Sequence, residues 1–284
     1  MYIFYTALEK ISYKRGEVTL KCKIWIFTVF ILLSSIILVL FFSDHSVALK
    51  NKRNQNSIHV YLIGDSTVSA YKHKFAPKMG WGQKLSVYFN DQVIIHNAAV
   101  PGRSSKSFYD EGKFENVKKK LGQGDYLIIQ FGHNDAKRKD SKRYTDPYTD
   151  FKIYLKKYIA GAREKGAIPI LVTPVERRNF SSDGKILDTH GDYPAAMKQL
   201  AVEEDVDLID LTAKSKQLFN KLGPENTKQL FLWLEPHEYH HFPDGKRDNT
   251  HLQEFGATKI ASLIVEGIKG LNISLKEYVK PDIQ

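Results

Sequence analysis

Cysteine is almost missing from this chain: Cys22 is the only one among 284 residues. No intrachain disulfide can form, and no thiol nucleophile lies downstream of it. The absence of disulfides is compatible with many compartments, secreted bacterial proteins included. There is also no basic stripe interleaved with aromatics and no zinc-finger spacing, which argues against nucleic acid as a partner despite a formal net charge of +10. Internal repeats and a second folded domain are lacking as well. The first 53 residues supply eight Lys/Arg against three Asp/Glu, so about half of the positive excess lies there. The remainder is mildly basic, which suits a polyanionic substrate or an anionic surface. Apolar residues, by contrast, are plentiful at 42%. That supports a packed core in one sizeable α/β domain.

The N-terminal part reads as an appendage. Residues 1–23 form a basic segment with Lys14, Arg15, Lys21 and Lys23. Ile24–Phe42 is a charge-free apolar run. As a helix rising about 1.5 Å per residue it spans roughly 28 Å, close to a bilayer's hydrocarbon thickness. The flanking cations place the N-terminus in the cytoplasm and send the domain across. Two readings compete: an uncleaved single-span anchor, or a secretory signal with Ser46-Val47-Ala48 as its cleavage site. The length of the run and the cations Lys50, Lys52 and Arg53 beyond it favour the anchor. Residues 43–56 read as a linker and 57–284 as the folded domain.

Within that domain, short apolar runs alternate with helix-length segments. Ile58–Ile63, Val93–His96, Tyr126–Phe131, Ile168–Thr173 and Val206–Leu211 read as buried parallel strands. Trp81–Phe89, Phe114–Leu121, Tyr148–Lys165, Tyr193–Glu204 and Ala257–Lys269 show helical spacing. The alternation predicts an α/β fold, a three-layer α/β/α sandwich of about five parallel strands with right-handed crossovers. Working residues in such a fold sit at the carboxyl ends of the strands.

Four stretches occupy such positions. Gly64-Asp65-Ser66 ends the first strand in a tight turn that displays a hydroxyl. A small-residue loop, Asn97 to Ser105, follows the second strand and contains Gly102. Gly132-His133-Asn134-Asp135 follows the third, and Asp248-Asn249-Thr250-His251 precedes the closing helix. Each alone also reads as a helix cap or an ordinary loop. Together they form a chemistry. A serine hydroxyl needs a base, histidine can take its proton, and a carboxylate can fix the ring's tautomer. Ser66 N–H, Gly102 N–H and the Asn134 amide supply three donors for an oxyanion.

These four stretches, in this order, resemble the sequence blocks of the SGNH (GDSL) hydrolase superfamily over about residues 57 to 270. Gly80-Trp81-Gly82, Thr173 to Phe180 and Thr189 to Ala195 are most similar to the rhamnogalacturonan acetylesterases, carbohydrate esterase family twelve. The resemblance implies the flavodoxin-like SGNH fold, Ser66 as nucleophile, His251 as base, Asp248 as its partner, and an oxyanion hole of Ser66, Gly102 and Asn134. It implies removal of acetyl groups from an acetylated polysaccharide, with no metal or organic cofactor. Candidate substrate contacts are Asp65, His133, Arg177, Arg178 and Trp81, with Tyr193 a further sugar-stacking candidate. A monomer is expected. The loop Glu235 to His241 is rich in His and Glu but has no recognised ligand spacing, and reads as a surface loop near the cleft. Alternatives are a lipase, a thioesterase or a cell-envelope polysaccharide deacetylase of the same superfamily, or a non-catalytic carbohydrate-binding protein. A long apolar tunnel favours acyl chains, and an open groove favours sugars.

Overall fold

A computed structural model describes residues 57–281; the predicted apolar span at 24–42 and the linker lie outside the described residues. The chain runs β1 (Ile58–Gly64), β2 (Val93–Asn97), α1 (Ser105–Asp110), α2 (Lys113–Lys118), β3 (Tyr126–Gln130), α3 (Lys152–Glu164), β4 (Ile168–Val172), α4 (Tyr193–Glu203), β5 (Asp207–Ile209) and α5 (Leu211–Thr227). It ends with β6 (Phe231–Leu234), β7 (Lys246–Leu252) and α6 (Glu254–Gly270). Strands β1 to β5 form one sheet in the order β2-β1-β3-β4-β5, with every pairing parallel.

The strands are apolar on both faces because both faces are covered. In β1, Val60 and Leu62 enter one core while Tyr61 and Ile63 enter the other. In β3, Tyr126 and Ile128 divide from Leu127 and Ile129 in the same way. This is the period-two alternation of a strand buried on both sides. Ile260, Ile264 and Ile268 of α6 and Phe219 of α5 fill the first core. Phe108 of α1, Phe114 of α2, Leu155 and Tyr158 of α3, and Met197 and Leu200 of α4 fill the second. The expected three-layer α/β sandwich and its five parallel strands are present.

Several local expectations differ from the structure. Trp81–Phe89 is not an α-helix but two short 3-10 turns, Trp81–Gln83 and Leu85–Tyr88. Trp81 N–H is drawn instead to Thr67 O at 2.8 Å. Helix α1 was not anticipated; Ser104 caps it, with Ser104 and Ser107 exchanging side-chain bonds to each other's backbone N–H. Nor was α5, which Gly223 at φ 74° and Pro224 interrupt. A two-stranded antiparallel ribbon, β6–β7, stands outside the main sheet. The sequence pattern does not reveal it, because β7 is mostly polar, Lys-Arg-Asp-Asn-Thr-His-Leu.

The order of the sheet positions the site. From β1 the chain steps outward to β2, then returns across β1 to form β3. The carboxyl ends of β1, β2 and β3 therefore meet where the winding direction reverses, the place where open α/β sheets hold ligands. Trp81 supports that point from below. It is fully buried, and its Nε1–H donates to Gln130 Oε1 at 2.8 Å. The expectation that Trp81 contacts substrate is therefore corrected: its ring is core. Trp81→Phe leaves a buried Gln130 oxygen without its donor, so urea denaturation should show a loss of about 1–3 kcal/mol. An unchanged midpoint with a raised KM would restore the stacking role.

Candidate active site

Ser66 follows β1 on a turn that requires Gly64. A Cβ there would lie 2.7 Å from Gln130 O on the neighbouring strand. Ser69 N–H reaches back to Asp65 O at 3.1 Å, closing one helical turn around Ser66. The serine's Oγ lies 3.0 Å from His251 Nε2. His251 Nδ1 lies 2.8 Å from Asp248 Oδ2. Asp248 Oδ1 accepts the N–H groups of Thr250 and His251, at 2.8 and 3.0 Å. This side-chain turn closes the three-residue gap within β7, so the pair stands on the ribbon, not on a helical turn. Burial works against the Asp248 charge, but the bonds and charge of His251 and the two backbone donors hold its carboxyl well below the usual range. Asp248 is thus a committed anion that receives Nδ1–H and leaves Nε2 facing Ser66.

The ribbon is anchored firmly. Leu252 O accepts from Met79 N–H, and Leu230 O accepts from Gln253 N–H. Gly256 of α6 packs so closely that a Cβ would lie 1.9 Å from Leu230 O. Arg178 N–H donates to Asn249 O at 2.8 Å, and its guanidinium bonds Asn249 Oδ1 and Pro224 O. That guanidinium lies 4.3 Å over the Trp233 ring, away from the cleft. Arg178, expected to bind substrate, instead braces the ribbon that carries Asp248 and His251.

The other two expected donors arrive on neighbouring loops. Ala98 and Val100 N–H groups continue the β2 side of the sheet by bonding Leu62 O and Gly64 O. The loop then turns at Gly102, whose φ of 77° favours glycine. Asn134 Nδ2 donates to Arg103 O at 3.1 Å, which fixes the amide and leaves its second N–H for a ligand. Ser66, Gly102, Asn134, Asp248 and His251 all line one open cleft of about 410 Å³, with Lys78, Pro101, His133, Lys137, Arg177 and Thr250. Another cavity, about 430 Å³ beside β2 and α2, contains none of these residues.

Asp65 does not reach the cleft, contrary to expectation. It is fully buried, and its Oδ1 accepts Thr67 N–H and O–H at 2.9 and 2.8 Å. Its Oδ2 lies 3.1 Å from His133 Nδ1. Burial opposes its charge, but His133 and Thr67 lower its pKa overall. The other ring nitrogen of His133, Nε2, is buried and has no hydrogen-bond partner among the described residues. Arg177 also faces the cleft, its guanidinium braced by Thr189 O, Thr189 Oγ1 and His133 O. Tyr193 is buried and donates to Asp135 O and Thr145 O, so it cannot stack on a sugar.

Sequence reasoning gave no role to His190, Lys78 or Lys137. His190 packs edge-on to His133 with ring centres 4.6 Å apart. It donates from Nε2 to Val175 O at 2.8 Å, and burial holds its pKa well below the usual value, so it supports His133 as a neutral ring. The lysines carry no local sequence signal. Among the described residues no group of three or more His, Cys, Asp or Glu side chains is arranged to hold a metal ion.

Asp135 ties the Asn134 turn to α1. Its fully buried carboxylate accepts Ser105 N–H and O–H, Thr145 O–H and Gly132 N–H. Burial pushes its carboxyl up to about 7, against the bonds from Ser105 and Thr145. In Asp135→Asn the amide must turn its own hydrogens toward one set of donors. The expected cost is about 1–3 kcal/mol in urea unfolding. No change would show that the carboxyl does not hold this turn.

Residues 62–256 match the GDSL-like lipase/acylhydrolase family. The chain is 47% identical over 222 residues to rhamnogalacturonan acetylesterase RhgT of Bacillus subtilis, covering 78% of this chain and 94% of that one. It is 43% identical to the probable rhamnogalacturonan acetylesterase YesY of the same organism, covering 78% and 97%. Among solved structures, B. subtilis YxiM superposes with a TM-score of 0.66 at 32% identity, covering 77% of this chain and 58% of that chain. The acetylxylan esterase Axe2 of Geobacillus stearothermophilus shares the fold, with a TM-score of 0.55 at 15% identity over 80% of this chain and 100% of its own. On the match across most of the folded residues and the likeness to these esterases, the chain belongs to the GDSL-like lipase/acylhydrolase family, whose members cleave carboxylic esters.

Proposed function

We propose that this protein is a serine esterase that removes acetyl groups from rhamnogalacturonan. The observation that carries the reading is the continuous line Asp248 Oδ2, His251, Ser66 Oγ, at 2.8 and 3.0 Å, opening into a polar cleft. In this reading His251 Nε2 takes the Ser66 proton as Oγ attacks the acetyl carbonyl carbon. The carbonyl oxygen becomes an oxyanion held by Ser66 N–H, Gly102 N–H and the free Asn134 amide hydrogen. His251 then gives the proton to the departing sugar oxygen, which leaves an acetyl group on Ser66. Water enters, loses a proton to Nε2, attacks the acetyl carbon, and acetate departs as the proton returns to Ser66. The steps need only these side chains and water.

Three features support a sugar ester over a fatty one. The cleft is lined by charged and polar groups, with Pro101 and Gly102 the exceptions. Its rim carries Lys78, Lys137 and Arg177, while the carboxylate Asp248 is already engaged by His251. Two of the relatives reported above, RhgT and YesY, are named as rhamnogalacturonan acetylesterases, and rhamnogalacturonan is a polymer with uronic acid units. Residues 24–42 would carry the domain out of the cytoplasm, either as a retained anchor or as a cleaved signal, and the domain would act as a monomer.

The purified protein should release acetate from acetylated rhamnogalacturonan, with acetylated xylan and a short nitrophenyl ester as comparisons. Ser66→Ala should abolish release by about four to six orders of magnitude. Asn134→Ala should lower kcat by about 10²–10³ with a smaller effect on KM. Full activity in Ser66→Ala overturns the mechanism; turnover of the nitrophenyl ester alone overturns the substrate.

A further inference from the structure

A second hollow, about 520 Å³, opens beside the cleft and is lined in part by Tyr71, Lys72, Lys74, Phe75, Lys78 and Phe242. Lys78 and Pro101 border both spaces, so hollow and cleft adjoin. Its wall is a row of rings. Tyr71 and Phe75 meet edge to face at 6.5 Å, Phe75 meets His241 at 4.8 Å, and His241 meets Phe242 at 4.9 Å. Lys78 Nζ sits 4.8 Å from the Tyr71 ring centre, and Lys74 Nζ 5.1 Å from that of Phe75. Ring faces attract ammonium groups and so hold these lysines at the wall.

The lysines of this hollow have no carboxylate at salt-bridge distance: among the described residues Lys72, Lys74 and Lys78 make no ion pair. Burial lowers the pKa of Lys78; Asp248 opposes the shift, and nearby Lys246 adds to it. A partly desolvated ammonium without a partner is a costly arrangement that an incoming anion relieves. The hollow is also fixed in place relative to the nucleophile. Tyr71 Oη donates to Ser66 O at 2.9 Å, and Tyr71 N–H donates to Gln83 Oε1 at 2.9 Å. A chain whose acetyl group lies at Ser66 and which leaves the cleft past Lys78 and Pro101 would meet these rings.

We propose that this hollow is an anion-selective subsite for uronate units of the substrate chain beyond the acetylated sugar. Uronate carboxylates pair with Lys72, Lys74 and Lys78, and the C–H faces of the sugars lie on Tyr71 and Phe75. The inference rests on the esterase reading for its substrate, but binding here requires no hydrolysis. The recognised chemistry is a row of carboxylates on a pyranose chain, which separates this site from one built for neutral xylan.

The test uses the full-length protein and the double variant Lys72→Gln/Lys74→Gln; both residues are exposed and lie outside the cleft lining. KM for acetylated rhamnogalacturonan should rise roughly three- to tenfold. Turnover of nitrophenyl acetate and of acetylated xylan should not change. Lys72→Arg/Lys74→Arg should retain the wild-type KM, and raising NaCl from about 0.1 to 0.5 M should erase the difference. In a second arm, unacetylated trigalacturonate is titrated calorimetrically into Ser66→Ala, with and without the two lysine substitutions. Weaker binding on loss of the lysines supports the subsite whichever polymer is hydrolysed. Equal KM values, equal affinities, or no trigalacturonate binding by Ser66→Ala overturns it. If nitrophenyl acetate is turned over but no pectic polymer is attacked, the esterase reading loses its substrate, and the titration alone decides the hollow.

Discussion

The carboxylate of Asp65, fully buried beneath Ser66, is the charge on which the site depends. An ion in that position is unfavourable unless every lone pair finds a donor. The donors form a directed column. Trp81 gives its N–H to Gln130, Gln130 gives an amide hydrogen to Thr67, and Thr67 gives both its O–H and its N–H to Asp65. His133 supplies the remaining donor from the opposite loop. The column passes through the end of β3 and the turn after β1, so the two strand ends that frame the cleft are joined by polarity as well as by the sheet. Any shift of the Ser66 turn would leave Asp65 short of a donor, so these bonds hold the turn in place without a long helix behind it.

This column also explains which site residues the sequence discloses. Ser66, Gly102 and Asn134 follow strands whose apolar runs are unambiguous, and parallel strands bring their carboxyl ends together. Their convergence was legible because it follows from topology. Asp248 and His251 were legible by motif, while the β6–β7 ribbon that presents them was not, since polar β7 carries no strand periodicity. Trp81, Tyr193, Asp65 and Arg178 share a different difficulty. Aromatic and charged residues near a motif suit a sugar site as well as a buried brace. Only burial separates the two, and burial is a property of the packed chain. Trp81 is core because Gly80 and Gly82 bring its segment hard against Val68 and Ser69, a close approach that no local spacing reveals.

The cleft's electrostatics follow from the same economy of carboxylates. The acids nearest Ser66 are all engaged: Asp65 by Thr67 and His133, Asp135 by Ser105, Thr145 and Gly132, and Asp248 by His251. Glu176, behind the Arg177 wall, is buried: its Oε1 accepts from Thr189 and the Arg177 N–H, while its Oε2 has no partner among the described residues. The exposed charge that remains is cationic. The cleft lining accordingly carries three cations, Lys78, Lys137 and Arg177, against one carboxylate, Asp248, which His251 engages. Net charge alone would not select a polyanion; the internal engagement of the acids does.

Polar groups stand on both walls of the cleft. The Gly102 and Asn134 side offers N–H donors, with one amide hydrogen of Asn134 already spent on Arg103 O so that the other has a fixed direction. His133 stands opposite: its Nδ1 is taken by Asp65, and its buried Nε2 has no partner among the described residues. A ligand that satisfies both walls must carry an electron-rich carbonyl oxygen and, a short distance away, a polar group for that nitrogen. A sugar acetate has both, because a free hydroxyl can either donate or accept, whereas the ester of a fatty acid with a simple alcohol has only the first. Discrimination built on an otherwise unpaired buried nitrogen is steep, because a ligand that lacks the hydroxyl leaves that nitrogen desolvated and unbonded.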